Sequence, residues 1–384
     1  MASPLHFRIE HTDRGSHARV GRVTTPHGSF PTPAFMPVGT RASVKGLLPE
    51  LVRATGSEII LANAYHLMLR PGSDLIARRG GLHAFMRWHG PILTDSGGFQ
   101  AFSMADINRI DDDGVTFKSI IDGSMIRLTP ERSIEVQNDL GADIIMAFDD
   151  CAPAGPDVGA ARLRTAHERT VRWLERCVAA HARPTEQALF GIVQGGIDLD
   201  LRAASAEAVT SIDLPGYAIG GVAVGEGPAL IHRVVEFTAP RLPADRPRYL
   251  MGVGYERDLL VAIRSGVDLF DCVLPTRNGR NANAFTRAGR LHLRNARWAE
   301  EDGPIESGCD CAACGGGFGR GYLRHLFMAG EMLGPILVSI HNIRHFQRLL
   351  LDIRRSIRED AWSWLFEAWP VLQDPEQAAP SLHT

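Results

Sequence analysis

From Ala34 onward, eight short apolar runs recur along the chain: AFMPV, IILAN, PILTD, IIMAFD, LFGIVQ, YAIGG, YLMGV and LFDC. This repetition restricts the fold more than any other feature of the sequence. Short apolar runs with little polar alternation are what strands buried on both faces look like, and such burial belongs to parallel sheets covered by helices. The segments between the runs carry helix signals. Thr129 stands as an N-cap, Pro130 at the first helical position and Glu131 in the first turn ahead of an amphipathic stretch that Gly141 can end. Longer helices are expected at 158–182, 199–211, 228–239, 257–265 and 343–367. Eight strands alternating with helices is the count of a (β/α)8 TIM-type barrel, with a doubly wound sheet as the structural alternative.

Three regions stand outside the alternation. Residues 7–31 alternate polar and apolar positions around turn signals, which predicts antiparallel hairpins capping one barrel end, the whole region covering about 5–31. Residues 95–129 are too long for an ordinary loop, and Asp122-Gly123 marks a hairpin turn between 115–120 and 125–128. Excursions of that length usually cover a site. Residues 281–341, after the eighth run, hold Cys309, Cys311 and Cys314 and read as a small inserted subdomain, with helix 343–367 then closing the barrel and a loose tail after Pro370. At 384 residues the chain is one barrel domain, 1–384, carrying that insertion.

Charge narrows the function. The net charge is −3, so a polyanion would have to be held by a local patch and not by the overall field. One such patch is visible: from Cys272 to Ala299 there is no acidic residue, yet Arg277, Arg280, Arg287, Arg290, Arg294 and Arg297 all fall there. No apolar run approaches the ~20 residues that span a bilayer, and the first residues lack a signal-peptide core, so a cytoplasmic location is expected. In a reducing compartment the cysteine cluster suggests a metal and not disulfides. His325 and His341 compete as a further ligand.

In a barrel the strand ends meet at one face, and here those ends are polar: Asn63, Asp95, Asp149, Gln194, Gly220, Gly221, Gly252 and Asp271. A shared polar pocket follows. The chain has no GxSxG motif, and its glycine-rich pieces lack the trailing lysine of a phosphate loop. Aspartates, a glutamine and backbone glycines can match the edge of a planar base, with Phe99, Met251 and Tyr255 available for its faces. A spare aspartate can attack an anomeric carbon. For Asp271 the plainer reading is a structural ion pair with Arg277, and that arginine with Arg280 would also keep it ionised.

Seven motifs in order make the resemblance specific: TDSGGFQ at 94–100, FDDC at 148–151, VQGG at 193–196, GGVAVGE at 220–226, LMGVG at 250–254, FDCVLPTRNGR at 270–280, and CxCxxC followed by His341. Over about 7–367 the chain resembles the bacterial tRNA-guanine transglycosylases, or queuine tRNA-ribosyltransferases. The resemblance implies a barrel with an inserted zinc-binding subdomain after the eighth strand. It implies exchange of guanine at the anticodon wobble position for 7-aminomethyl-7-deazaguanine in queuosine biosynthesis, through a covalent aspartyl-ribose intermediate. Asp271 would then be the nucleophile and Asp95 the general acid/base, with Asp95 the competing nucleophile. Asp149, Gln194, Gly221, Val222, Phe99, Met251 and Cys151 would bind the base, and Thr276, Arg277, Arg280 and Arg287 the RNA. One structural Zn2+ would sit on Cys309, Cys311, Cys314 and His341. Partners would be tRNAs with a GUN anticodon (Asp, Asn, His and Tyr types), the free 7-deazaguanine base and a second copy in a homodimer. The chain departs from the family at Val222, where leucine is usual, and in the glycine-rich segment after Cys314. Two other functions remain open: a non-catalytic tRNA-binding partner subunit of the same fold, and a carbohydrate hydrolase with paired carboxylates.

Overall fold

The structure is a computed structural model, and it describes residues 3–103, 108–153 and 158–373. The chain opens with three antiparallel strands, β1 (His6–Thr12), β2 (Arg19–Thr25) and β3 (Gly28–Thr32), paired in that order. The barrel follows. Its strands are β4 (Ala34–Gly39), β5 (Ile60–Ala62) and β6 (Ile92–Thr94). After an excursion of three antiparallel strands, β7 (Asn108–Asp111), β8 (Gly114–Lys118) and β9 (Met125–Leu128), come β10 (Ile144–Met146), β11 (Ala188–Val193), β12 (Gly216–Ile219), β13 (Arg248–Leu250) and β14 (Leu269–Cys272). All eight barrel pairs are parallel, and β14 pairs with β4 to close the ring. The barrel is therefore complete, and its strands are the eight apolar runs of the sequence.

Alternation along each strand sorts side chains between two cores. Met36, Leu61, Leu93, Ile144, Met146, Phe190, Ile192 and Leu269 fill the barrel interior. Their neighbours Phe35, Ile60, Ile92, Ile145 and Leu189 face the surrounding helices. Both faces are buried, which is why no strand announces itself by a polar side. The N-terminal sheet sends Val23 and Phe30 into the interior cluster, so it plugs the barrel at the strands' amino ends. The opposite end stays open.

Local sequence sets the helices. Thr129 caps Pro130–Leu140 by accepting from the Arg132 amide, and Gly141 ends that helix in the left-handed conformation. The last helical region differs from expectation. A 27-residue helix runs Leu333–Glu359, ends at left-handed Asp360, and is followed by a short helix Trp362–Ala368. It starts ten residues before 343, with no side-chain cap to mark the start and with Pro335 in the first turn, where proline costs no hydrogen bond. Strands β15 (Asn283–Thr286) and β16 (Gly289–His292), the cysteine segment and helix Arg320–Ala329 precede it. One helix thus serves both the insertion and the barrel wall. The excursion after β6 contains the expected hairpin, plus β7. The expected tail lies mostly outside the described residues, beyond the turn Pro370–Leu372. Among the described residues no helix is long and apolar enough to cross a membrane.

Candidate active site

At the carboxyl ends of the strands lies a cavity of about 420 Å³, and it collects Asp95, Asp149 and Asp271 from three different strand ends. Their surroundings differ. Asp95 is tied at both oxygens: the Ala64 amide donates to Oδ1 at 2.8 Å and the Asn63 amide nitrogen to Oδ2 at 2.5 Å. Burial raises its pKa to about 7; the Ala64 and Gly97 amides oppose the shift, and the charges of Asp271 and Asp149 add to it. Asp149 accepts from Gln194 Nε2 at 2.6 Å and from the Ser96 hydroxyl at 3.4 Å. Burial holds it near 6, helped by the adjacent Asp150 charge. Asp150 itself turns the other way, into Arg162 and Arg169.

Asp271 is half-buried and receives two bonds on a single oxygen, from the Tyr249 hydroxyl at 2.6 Å and the Gly252 amide at 2.8 Å, both to Oδ1. Oδ2 meets no described donor. Burial raises the Asp271 pKa, and the Tyr249 and Gly252 bonds act against that rise. Tyr249 is itself pushed well up by burial and by Asp271, so it stays protonated and donates. The expected arginine pair is not found: among the described residues no cation bridges Asp271, and two neutral donors orient it instead. Arg277 and Arg280 stand on the helix Leu274–Arg280 that follows β14, and neither forms an ion pair with Asp271.

The β12 loop forms the cavity's other wall. Gly221 has φ +61°, and a side chain there would fall within 2.2 Å of Gln194 Oε1, so the position needs glycine. Glu226 accepts the amides of Ala223 and Val224, which fixes the loop beyond Val222. Val222, Cys151, Met251 and Phe99 line the space. Phe99 is exposed at the mouth. Burial lifts the Cys151 thiol to about 12, which leaves it uncharged packing and not a nucleophile. Tyr255, expected against the base, instead faces Arg290, with guanidinium and ring centre 5.6 Å apart, and does not line the cavity.

Away from the cavity, Cys309, Cys311, Cys314 and His341 converge, all buried, with their ligand atoms within 4.8 Å of one another. His341 points Nδ1 at the three sulfurs, at 3.4–3.7 Å, while Nε2 donates to the Phe285 carbonyl at 2.7 Å. That carbonyl fixes which ring nitrogen faces the thiols, an anchoring typical of a metal-ligating histidine. The residues fit a metal ion. His325, the competing ligand, is exposed beside Tyr322.

The family model described as Queuine tRNA-ribosyltransferase matches residues 13–370. The chain belongs to that family. A queuine tRNA-ribosyltransferase of Thermus thermophilus is 55% identical over 93% of this chain and 91% of its own length. Relatives of the same name from Herpetosiphon aurantiacus and a Cyanothece species are 53% and 51% identical, over 94% and 97% of this chain and 91% and 97% of their own. As a member of the queuine tRNA-ribosyltransferase family the protein is a tRNA-guanine transglycosylase, a pentosyltransferase whose substrate is tRNA.

The arginine surface of this family member is smaller than its sequence suggested. Arg277 is exposed and Arg280 half-buried, on one short helix. Thr276 is buried and donates back to the Val273 carbonyl. Arg287 is taken up by Asp352 at 3.1 Å and the Trp369 ring, and Arg294 and Arg297 lie over Phe327 and Trp298. Nearness along the chain did not mean a common face. Two participants went unread: Tyr249, which looked like one more strand residue, and Glu226, whose role depends on a loop conformation.

Proposed function

We propose that this transglycosylase exchanges guanine at the anticodon wobble position of tRNA for 7-aminomethyl-7-deazaguanine by two displacements on the ribose. The observation that carries the reading is the difference between two carboxylates in one cavity. Asp271 Oδ2 meets no donor among the described residues while Oδ1 is held, as an oriented nucleophile requires. Asp95 is held at both oxygens and sits near 7, the range in which a carboxyl both gives and takes a proton. In the first displacement Asp271 Oδ2 bonds to C1′ as the C1′–N9 bond breaks, and guanine leaves with a proton from Asp95. In the second, the incoming base returns its N9 proton to Asp95 and its N9 displaces the aspartyl ester.

Asp149, Gln194 and the Gly221 amide read the base edge, while Val222, Met251, Cys151 and Phe99 shape the pocket. Arg277 and Arg280 lie along the RNA, with Thr276 supporting their turn from inside. Three thiolates and an imidazole in a closed set favour zinc, one ion per chain, in a structural role. The chain works in the cytoplasm as a homodimer on tRNAs with a GUN anticodon, as the family resemblance implies. A non-catalytic partner subunit would not need the free oxygen of Asp271. Incubation with unmodified tRNA and labelled guanine should give label in the RNA. No incorporation at saturating guanine would reject the exchange.

A further inference from the structure

One buried charge takes no part in the chemistry above. Arg202, on helix Leu199–Thr210, is fully buried, and no described carboxylate pairs with its guanidinium. Its donors go to four main-chain carbonyls instead: Nε to Gly196 at 2.8 Å, Nη1 to Val193 at 3.0 Å and Gly220 at 2.7 Å, Nη2 to Gly221 at 3.0 Å. A buried cation without a counter-ion is costly. What it supplies here is geometry, since a planar fork can fix several carbonyl directions at once and an ammonium cannot.

Those directions bear on the cavity. In a trans peptide the carbonyl and the following N–H point opposite ways. With the Gly220 and Gly221 carbonyls turned onto Arg202, the Gly221 and Val222 amides point away from it. Both residues line the cavity, and neither amide has a described protein acceptor. The next two amides are occupied by Glu226. The loop therefore keeps two donors unspent, beside Gln194 and Asp149.

We propose that Arg202 is a positioning residue for base recognition: its guanidinium holds peptides 220–221 and 221–222 so that the Gly221 and Val222 amides face the carbonyl edge of a purine-like base. The inference rests on the base-exchange reading, but binding of free guanine to the tRNA-free protein tests it separately. In Arg202→Lys and Arg202→Ala the guanine Kd should rise about tenfold or more, the loss of one to two oriented hydrogen bonds. The tRNA Kd should stay within about twofold, and millimolar guanidinium ion should restore guanine binding to Arg202→Ala. If Arg202→Ala does not fold, Arg202→Lys carries the test. An unchanged guanine Kd in Arg202→Lys, or guanine and tRNA affinities falling together, would overturn the proposal. Wild-type protein that binds guanine yet incorporates none into tRNA would sink the exchange reading and leave the role of Arg202 standing.

Discussion

Both ends of the barrel bury aspartates, and those that line the open cavity are treated oppositely to those at the plugged end. At the plugged end Asp268 is clasped by Arg19 at 2.9 and 2.6 Å and takes the Arg248 amide at 2.8 Å. Asp143, also there, accepts from His27 and His83 side chains and from the His27 and Ile92 amides. Burial alone would raise its pKa, but those donors win and hold it well below the ordinary value. In the open cavity Asp95, Asp149 and Asp271 have no cation partner among the described residues, and burial wins. The same desolvation acts at both ends; the presence or absence of compensating charge separates a staple from a reactive group.

The contrast breaks most directly by mutation at each end. Asp268→Ala leaves Arg19 buried without its partner and should cost about 3–5 kcal/mol in denaturant unfolding. Asp271→Asn retains an oxygen for the Tyr249 and Gly252 donors and should change stability by no more than about 1 kcal/mol while abolishing exchange. Similar stability losses in both variants would erase the distinction.

Much of the fold was legible because a parallel barrel writes each strand as an apolar run, and because Thr129, Pro130 and Gly141 punctuate a helix by local chemistry alone. The polar strand β7 (NRID) offered no such signal. Helix Leu333–Glu359 was placed at 343–367 because no side-chain cap marks its start and the apolar pattern runs on past left-handed Asp360 into the separate helix Trp362–Ala368. In the site, the aspartates were legible as strand ends. Their pairing was not, since whether Asp271 meets Arg277 or Tyr249 depends on where a turn sends the next helix. Arg202 in LDLRAAS looked like any surface arginine of an amphipathic helix, and only the fold shows which carbonyls it meets.

A smaller effect sharpens the comparison through pH. The Asp95 carboxyl rises from an ordinary 3.8 to about 7 in the fold. A carboxyl raised in this way contributes stability below its unfolded pKa and loses it as pH climbs through the folded value. Asp95→Asn has nothing to ionise. The melting temperature of the variant relative to wild type should therefore improve between pH 4 and pH 7. A pH-independent difference would mean that Asp95 is not held protonated by its surroundings.

The smallest effect concerns RNA. Arg277→Ala and Arg280→Ala should each lower the log–log salt slope of tRNA binding by about 0.7–0.9, whereas Arg287→Ala should leave it unchanged, its charge being engaged by Asp352. Equal slopes in all three variants would remove the short helix from the RNA interface.

The central claim is that the aspartate with one unengaged oxygen attacks the sugar, and the one tied at both oxygens moves the proton. Trapping the protein–RNA adduct by denaturation during turnover, then mapping the RNA-linked peptide, tests it. The expected peptide contains Asp271, and Asp271→Asn should form no adduct while still binding tRNA. An RNA-linked peptide containing Asp95 would contradict the assignment.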